Sequence, residues 1–304
     1  MSDDNPTEIF EHYRPKLMGI AYRFLGTMSD AEDIVQDVFL KWSAADRHSI
    51  RKPGAWLTKV CARRCLDVVK SVEKSRVDYV GSWLPEPIAI ETELADSVLE
   101  NIELGDSLTT AFLLALERLT PKERVAFLLR EIFDSPYLDV AEVLDIDEAA
   151  CRQLVSRAKK NISQNKVRNK VPAHQMTLFL DAFKHAITQG DPSKLQGLLT
   201  QDIVIRADGG GKVPAIRQDI SGLPQVLSFI SVKLKRYWDG LSWVQATISG
   251  NPGFIIKYGN SIHAVVSFEF NDHGKTAAIF IMRNPDKLRF ISSSNTTNSR
   301  RLRI

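Results

Sequence analysis

The chain has 304 residues, of which 44% are hydrophobic and 25% charged, and its formal net charge is +3. This length allows two or three domains with their own cores, whereas so small a net charge is only weak evidence for nucleic-acid binding by the chain as a whole. Three cysteines, an odd number, do not form a disulfide framework. The apolar runs are too short for a membrane span and the N-terminus does not resemble a signal peptide, so we expect a cytoplasmic protein without membrane contact.

The first part of the chain predicts three amphipathic helices. The first covers residues 8–25 and either starts or bends at Pro15. The second opens with a capping box formed by Ser29 and Glu32, and the third covers residues 56–72. Two cysteines four residues apart on the third helix have no His or Cys nearby, which favours small buried side chains over a metal site.

The third helix carries a basic stripe. Lys59, Arg63, Lys70 and Lys74 share one face, and Trp56 lies at its edge. Cations beside an aromatic ring suit single-stranded nucleic acid, because phosphates bind the cations and unstacked bases stack on the ring. The alternative is a solvated helix whose tryptophan covers the edge of a core.

Residues 147–162 predict a helix with an apolar face and a polar, basic face. Between residues 149 and 170 there are seven Lys or Arg and no acid. Ser135 and Pro136 predict the start of a short preceding helix, with Ser as cap and Pro as the first helical residue. A short helix, a tight turn and a second helix with outward polar residues are typical of a helix-turn-helix. The alternative is an ordinary amphipathic helix with a solvated face.

Three blocks of sequence carry a family resemblance across residues 5–165. They are AYRFLGTMSDAEDIVQDVFLKW, PGAWLTKVCARRCLDVVKS and LTPKERVAFLLREIFDSPYLDVAEVLDIDEAACRQLVSRAKKNI. The first two resemble region 2, and the third region 4, of bacterial RNA polymerase sigma factors of the extracytoplasmic-function group, within the sigma-70 family. The resemblance implies a protein that binds core RNA polymerase, at the beta-prime clamp helices and the beta flap, and promoter DNA. The sequence leaves the oligomeric state open, and a monomer is expected. The resemblance assigns polymerase binding to Asp33, Gln36 and Asp37, the -10 element to Trp56, Lys59 and Arg63, and the -35 element to Arg152, Gln153, Ser156, Arg157 and Lys160.

An acidic linker is predicted between the two modules, because residues 86–106 contain seven acids and no Lys or Arg. Pro85 and Pro87 indicate extended chain, the acids argue against a strand, and a short helix fits residues 92–99. The apolar run from Trp83 to Pro87 favours docking on another surface. It resembles the linker motif of the sigma subgroup with an extra C-terminal domain.

The C-terminal part predicts an α+β domain, because helices precede a run of hairpins. Helices fit residues 175–187, 192–199 and 222–238. Strands fit residues 202–206, 242–248, 254–258, 262–270, 277–283 and 288–291, with turns such as the one at residues 250–253. This order resembles the SnoaL-like fold, a cone that often holds a pocket. The expected fold class is therefore multidomain: two all-α sigma modules, a region 2 bundle and a region 4 helix-turn-helix, followed by an α+β cone.

A glycine-rich loop follows the first predicted strand of this domain. A nucleotide-binding loop would need Ser or Thr after Lys212, where Val213 stands, so nucleotide binding is excluded. The loop resembles the DGGGK motif of the SnoaL-extended sigma subgroup, which implies regulation in cis. The implied interdomain residues are Trp83, Pro85 and Glu86 in the linker and Asp208, Gly209, Gly210, Gly211 and Lys212 in the loop.

These observations predict a promoter-specificity subunit without enzymatic activity, cofactor or metal. The predicted domains cover residues 1–76, 77–105, 106–168 and 173–292, followed by a basic tail at 293–304. One alternative is a helix-turn-helix regulator with a ligand-sensing cone, acting without polymerase. The other is a small-molecule isomerase or hydrolase, with Asp208 and His263 as proton carriers in the cone.

Overall fold

The computed structural model describes residues 5–46, 49–75, 79–91, 108–163, 172–289 and 291. The chain forms two compact units. One combines Met1–Asp78 with Leu113–Asn165, and the other combines Tyr79–Phe112 with Lys166–Ile304. The start of the predicted linker therefore belongs to the same unit as the C-terminal domain. The short helix predicted at residues 92–99 and the basic tail lie outside the described residues.

The first unit begins with helices α1 (Pro6–Leu25), α2 (Met28–Ala44) and α3 (Pro53–Ser75). Helix α1 runs through Pro15 and ends at Gly26, whose φ of 75° suits glycine. The predicted capping box at Ser29 is wrong: the cap is Thr27, whose hydroxyl accepts the Asp30 amide, so the helix starts before Ser29. The apolar stripes of the three helices pack together around buried side chains that include Phe10, Leu17, Ile20, Trp42 and Leu57.

Further along the chain follow α4 (Thr110–Leu116), α5 (Pro121–Phe127), a π-helical turn (Leu128–Ile132), α6 (Tyr137–Leu144) and α7 (Glu148–Ser163). Thr120 and Glu123 form a reciprocal capping box at the start of α5. Helix α6 was predicted to begin at Pro136, but Pro136 has an extended ψ of 143° and is itself the cap residue. The predicted role of Ser135 as cap is therefore wrong.

The second unit contains α8 (Ala173–Gln189), α9 (Ser193–Gln196) and α10 (Leu223–Ser228), which continues through a π-helical turn (Phe229–Leu234) into α11 (Lys235–Trp238). Its strands are β1 (Ala89–Glu91), β2 (Leu199–Asp208), β3 (Ile220–Ser221), β4 (Ser242–Ile248), β5 (Asn251–Tyr258), β6 (Ser261–Phe270) and β7 (Thr276–Met282). They form one sheet in the order β1-β4-β5-β6-β7-β2-β3, in which the β2–β7 pair is parallel.

Aromatic rings fill the space between α8 and the sheet. Phe179 and Phe183 meet Phe268 at centroid distances of 4.8 and 4.9 Å, both edge to face. Trp243 meets Phe254 at 5.1 Å. Such pairs stabilise a core beyond the area they bury. Between α8 and the sheet, the interior of the predicted cone is therefore filled by the protein's own side chains.

The predicted fold class, all-α modules followed by an α+β domain, is confirmed, and three further local predictions, besides the two helix caps, are wrong. Residues 288–291 were predicted as a strand, but residues 285–289 are helical. The linker does contain a strand, β1, because Ala89 and Ile90 precede most of the acids and pair with β4. The turn predicted at residues 250–253 lies at Ser249 and Gly250, with φ of 48° and 84°. No helix in the described ranges is long and apolar enough to cross a bilayer.

Candidate nucleic-acid and polymerase interface

Helices α6 and α7 form a helix-turn-helix. The turn uses Asp145 in the left-handed region, with φ 54°, and the Asp147 carboxylate caps α7 by accepting the Ala150 amide at 2.7 Å. The inward face of α7 is small and apolar, and Cys151 and Ala158 are completely buried on it. The five residues predicted to read DNA are all exposed on the opposite face: Arg152, Gln153, Ser156, Arg157 and Lys160.

Several cations of α7 are held by acids and by an aromatic ring. Arg152 pairs with Glu148 at 2.5 Å, and its guanidinium lies 4.2 Å from the centroid of the Tyr137 ring. Arg157 lies 3.5 Å from Glu123 of α5. These pairs are solvent-exposed on the arginine side and therefore weak. The pairs orient the arginine side chains, and each arginine can still leave its carboxylate partner to bind a DNA phosphate or base.

The three predicted polymerase-binding residues lie along one side of α2. Asp33 and Gln36 are exposed, and Asp37 is half-buried. Asp37 accepts a hydrogen bond from the Arg64 guanidinium of α3 at 2.5 Å, and this bond raises the pKa of Arg64. Leu40, one turn further, is exposed to 59%. This side of α2 therefore combines acids, an amide and one apolar side chain.

Two of the three predicted -10 residues, Lys59 and Arg63, contact the end of α6. Lys59 forms a 2.8 Å ion pair with Glu142, which lowers the pKa of that carboxyl. Arg63 donates to the backbone oxygens of Glu142 and Val143, at 2.7 and 3.3 Å. Trp56 is half-buried, with its ring 5.6 Å from that of Trp42. Trp56 and Lys59 border a cleft of about 510 Å³.

Asp208, at the end of β2, organises the contact between the linker and the C-terminal domain. It is completely buried and accepts hydrogen bonds from the Tyr79 hydroxyl at 2.6 Å and the Leu84 amide at 3.0 Å. Lys287 pairs with it at 2.7 Å and donates to the Leu84 carbonyl at 2.6 Å. The same ammonium lies 4.5 Å from the ring centroid of Trp83. We call Tyr79, Trp83, Leu84, Asp208 and Lys287 the linker latch.

The latch continues along the linker. Burial and the hydrogen bond to Asp208 both raise the pKa of Tyr79, so the phenol stays protonated and donates to the carboxylate. Downstream, the Ser249 amide donates to the Ile88 carbonyl at 2.6 Å, and β1 then pairs with β4. The linker is therefore added as an edge strand to the sheet of the C-terminal domain.

Two glycines of the loop, Gly209 and Gly210, allow an approach that a side chain would prevent. A Cβ atom on Gly209 would lie 2.6 Å from the Val213 carbonyl oxygen, and one on Gly210 would lie 2.4 Å from the Asn284 side-chain nitrogen. Gly210 and Gly211 also have positive φ, 62° and 69°. Lys212 leaves the loop to pair with Asp286 at 2.5 Å, with both side chains more than half exposed.

Comparison with known proteins decides the family. Residues 9–75 match the family Sigma-70 region 2, and residues 109–162 match Sigma-70, region 4. The chain is 35% identical to the ECF RNA polymerase sigma factor SigJ of Mycobacterium tuberculosis over 291 residues, 91% of each protein. It belongs to the ECF RNA polymerase sigma factors. As a member of that family it binds core RNA polymerase and recognises promoter DNA.

Other similarities extend over the whole sigma factor. The probable ECF RNA polymerase sigma factor SigI of Mycobacterium tuberculosis is 27% identical over 293 residues, 95% of this chain and 97% of that protein. The crystal structure of Mycobacterium tuberculosis SigJ has a TM-score of 0.73 at 33% identity and covers 92% of this chain and 97% of that one. These matches do not favour the alternative of a helix-turn-helix regulator that works without polymerase.

The structure does not bring together the residues of the isomerase alternative as a free acid–base pair. Asp208 is occupied by Lys287, Tyr79 and two backbone amides, those of Leu84 and Gly210. His263 contacts the Arg283 guanidinium at 3.1 Å, and burial and that cation lower its pKa. In the part of the chain that is described, no group of three His, Cys, Asp or Glu side chains could hold a metal ion.

Four residues that make these contacts were not predicted from the sequence. Tyr137 and Glu142 were assigned no role beyond lying in the short helix before the turn. Tyr79 and Lys287 lie 208 positions apart in the chain, yet both contact Asp208. Local sequence gave no signal for Lys287, because Asp286 and Arg289 beside it are typical of an exposed segment and its burial depends on residues distant in the chain.

Proposed function

We propose that this sigma factor reads the -35 element with α7 and holds the melted -10 element with α3. The observation that carries the proposal is the division of α7 into a buried apolar face and an exposed face with Arg152, Gln153, Ser156, Arg157 and Lys160. Arg binds guanine O6 and N7 bidentately, Gln binds adenine, and lysines bind phosphates. On α3, Lys59 and Arg63 supply cations for a strand, and Trp56 supplies a ring for stacking.

We also propose that the exposed side of α2 docks on the beta-prime clamp helices. Asp33 and Gln36 are free to approach a partner surface, and Leu40 adds apolar area to the same side. An interface that combines charge with a central apolar anchor is typical of specific docking. We further propose that region 4 docks on the beta flap, and this assignment rests on family membership alone. The protein acts by binding in the cytoplasm, without catalysis.

The C-terminal domain is proposed to regulate promoter recognition in cis through the linker latch. Residues 79–91 connect the region 2 module to the rest of the chain, and the latch fixes their path by hydrogen bonds to Asp208 and by β1–β4 pairing. Trp83, Pro85 and Glu86, with the loop from Asp208 to Lys212, are the residues assigned to this role. The proposed domains keep the bounds given by the sequence: residues 1–76, the linker 77–105, residues 106–168, residues 173–292 and the tail 293–304.

Transcription in vitro with core polymerase tests the promoter assignment. Arg152→Ala and Arg157→Ala should each reduce transcription from a promoter selected by the wild-type protein. A base-reading arginine should cost about 1–3 kcal/mol of binding and relax specificity at one position, whereas a phosphate contact weakens all sequences alike. Lys184→Ala, at an exposed position of α8, is the control. Unchanged transcription in both arginine variants would contradict the assignment of α7.

Regulation in cis is tested in the same assay with Tyr79→Phe. This change removes the hydroxyl that donates to Asp208 and keeps the aromatic ring, so the fold of the domain should persist while the latch weakens. The proposal expects altered transcript yield from a fixed promoter at unchanged polymerase affinity. If Tyr79→Phe unfolds at a lower denaturant concentration than wild type but gives the same transcript yield, regulation through the latch is refuted.

A further inference from the structure

The cationic surface of α3 already has a partner within the chain. Glu142 and Val143 lie in the last turn of α6, where helix carbonyls have no partner within the helix and the dipole is negative. The carboxylate of Glu142 binds Lys59 at 2.8 Å, and the two carbonyls accept from Arg63 at 2.7 and 3.3 Å. The end of α6 therefore presents oxygen acceptors to the same two cations that a DNA strand would use.

Contacts between neighbouring helices of the same unit also hold this arrangement together. Arg124 of α5 is 2% exposed, donates to the Phe24 carbonyl at 3.0 Å and pairs with Glu117 at 2.8 Å. Arg23 of α1 lies 5.5 Å from the ring centroid of Phe133, and burial lowers its pKa to about 10. The helices that precede the linker and those that follow it are thus packed through buried groups as well as through Lys59 and Arg63.

We propose that α6 is an intramolecular competitor for the -10 strand, bound to α3 in the free protein. This inference rests on the proposed function, because it takes Lys59 and Arg63 as strand-binding residues. DNA must displace Glu142 and the two carbonyls before the cations can bind phosphates. The side chains of Lys59 and Glu142 are 35% and 56% exposed, so their ion pair is weak enough for a polyanion to replace.

The consequence is a closed state in which only a fraction of molecules can bind the strand. The apparent affinity for single-stranded DNA is then lower than the intrinsic affinity by that fraction. Weakening the α6 contact should raise the affinity without adding any contact to DNA. The same change should lengthen the distance between α3 and α6.

Binding of fluorescein-labelled oligothymidine to the full-length protein measures this effect by anisotropy. Glu142→Lys places a cation against Lys59 and Arg63 and should tighten binding about fivefold relative to Asp139→Lys. Asp139 is an exposed acid on the same helix and borders the same cleft, so the control makes the same charge change at a position that is not the ion-pair partner of Lys59. Among the neutral variants, Glu142→Gln should likewise bind oligothymidine more tightly than Asp139→Asn, with a smaller difference in affinity. Equal tightening by both members of each pair would overturn the inference.

Spin labels at Lys70→Cys on α3 and Leu138→Cys on α6 provide a second measurement. Both positions are exposed, and the three native cysteines are buried. Glu142→Lys should shift the distance distribution to longer values, whereas an unchanged distribution would overturn the inference. Adding Lys59→Ala and Arg63→Ala to Glu142→Lys should abolish the gain. If oligothymidine binds as tightly without these two cations, the assignment of α3 to the strand fails, whatever the distances show.

Discussion

The guanidinium of Arg152 lies over the ring of Tyr137, with 4.2 Å from its carbon to the ring centroid. Arg130 approaches the same ring at 4.8 Å and is itself held by Asp134 at 3.0 Å. Tyr137 is the first residue of α6 and Arg152 belongs to the first turns of α7, so the contact joins the two helices of the DNA-binding motif. Arg152 is thereby oriented before DNA arrives, which reduces the side-chain entropy lost on binding.

Replacing Tyr137 by Leu should weaken binding of a cognate -35 duplex about threefold, because a cation–π contact at an exposed site contributes about 0.5–1 kcal/mol. Tyr137→Phe keeps the ring and should bind like wild type. The measurement is the dissociation constant for a duplex that the wild-type protein selects from a random pool, together with the discrimination among bases at each position of that duplex. Equal losses for Leu and Phe would mean that the hydroxyl, not the ring, matters.

Removing one partner of the buried pair of Lys287 and Asp208 should strongly destabilise the second unit. Lys287→Met leaves the carboxylate without its counter-ion in a buried site, a change that typically costs about 3–5 kcal/mol. The free energy of unfolding from urea denaturation measures it. Lys212→Met removes the exposed ion pair between Lys212 of the glycine-rich loop and Asp286, and it should cost less than about 1 kcal/mol. Similar losses in both variants would contradict the role given to burial.

Gly210 should tolerate no side chain. Gly210→Ala combines a positive φ with a Cβ at 2.4 Å from the Asn284 side chain, so backbone strain and a clash add together. Gly240→Ala has a similar φ of 71° with open space around the Cβ, and it isolates the backbone contribution of about 1 kcal/mol. We expect a clearly larger loss of unfolding free energy at Gly210. Matching losses would show that Asn284 moves aside without cost.

Local sequence patterns correctly predicted the helices and strands whose apolar residues show a clear helical or alternating spacing. The face of α7 followed from helical spacing, and β4 followed from residue alternation with the bounds that the structure shows. Residues 262–270 are rich in β-branched and aromatic side chains and lie between two turn signals, a combination that favours a strand over a helix. For these segments, burial on one face is determined by neighbours close in the chain.

Contacts between residues that lie far apart in the chain could not be predicted from local sequence patterns. Lys59 and Glu142 are 83 positions apart, and neither pattern nor spacing indicates that an exposed acid on α6 meets the stripe on α3. Residues 288–291 read as a strand because Leu288 and Ile291 are apolar, but the side chains pack equally well on a helical turn after Pro285. Short apolar runs are ambiguous between the two states, and tertiary contacts decide.

Glu269 should make the stability of this protein fall as the pH rises. Its carboxyl lies on β6 opposite Ala278, is 5% exposed, and has an oxygen without a hydrogen-bond partner. Burial raises its pKa from 4.5 to about 8. In the unfolded chain the group ionises above its ordinary pKa, whereas the folded protein keeps the proton until about pH 8. The folded state therefore binds more protons within this window, and stability decreases with pH by about 1.4 kcal/mol per unit there.

Glu269→Gln removes the titration and keeps the size of the side chain. The variant should be more stable than wild type at pH 8, of similar stability near pH 4, and should lack the slope between these values. Urea denaturation across this range measures both curves, and Asp202→Asn, at an exposed position of β2, serves as the control for removing one acid. Parallel curves for wild type and Glu269→Gln would show that the carboxylate finds solvent or a cation when it ionises, and that its burial has no energetic consequence.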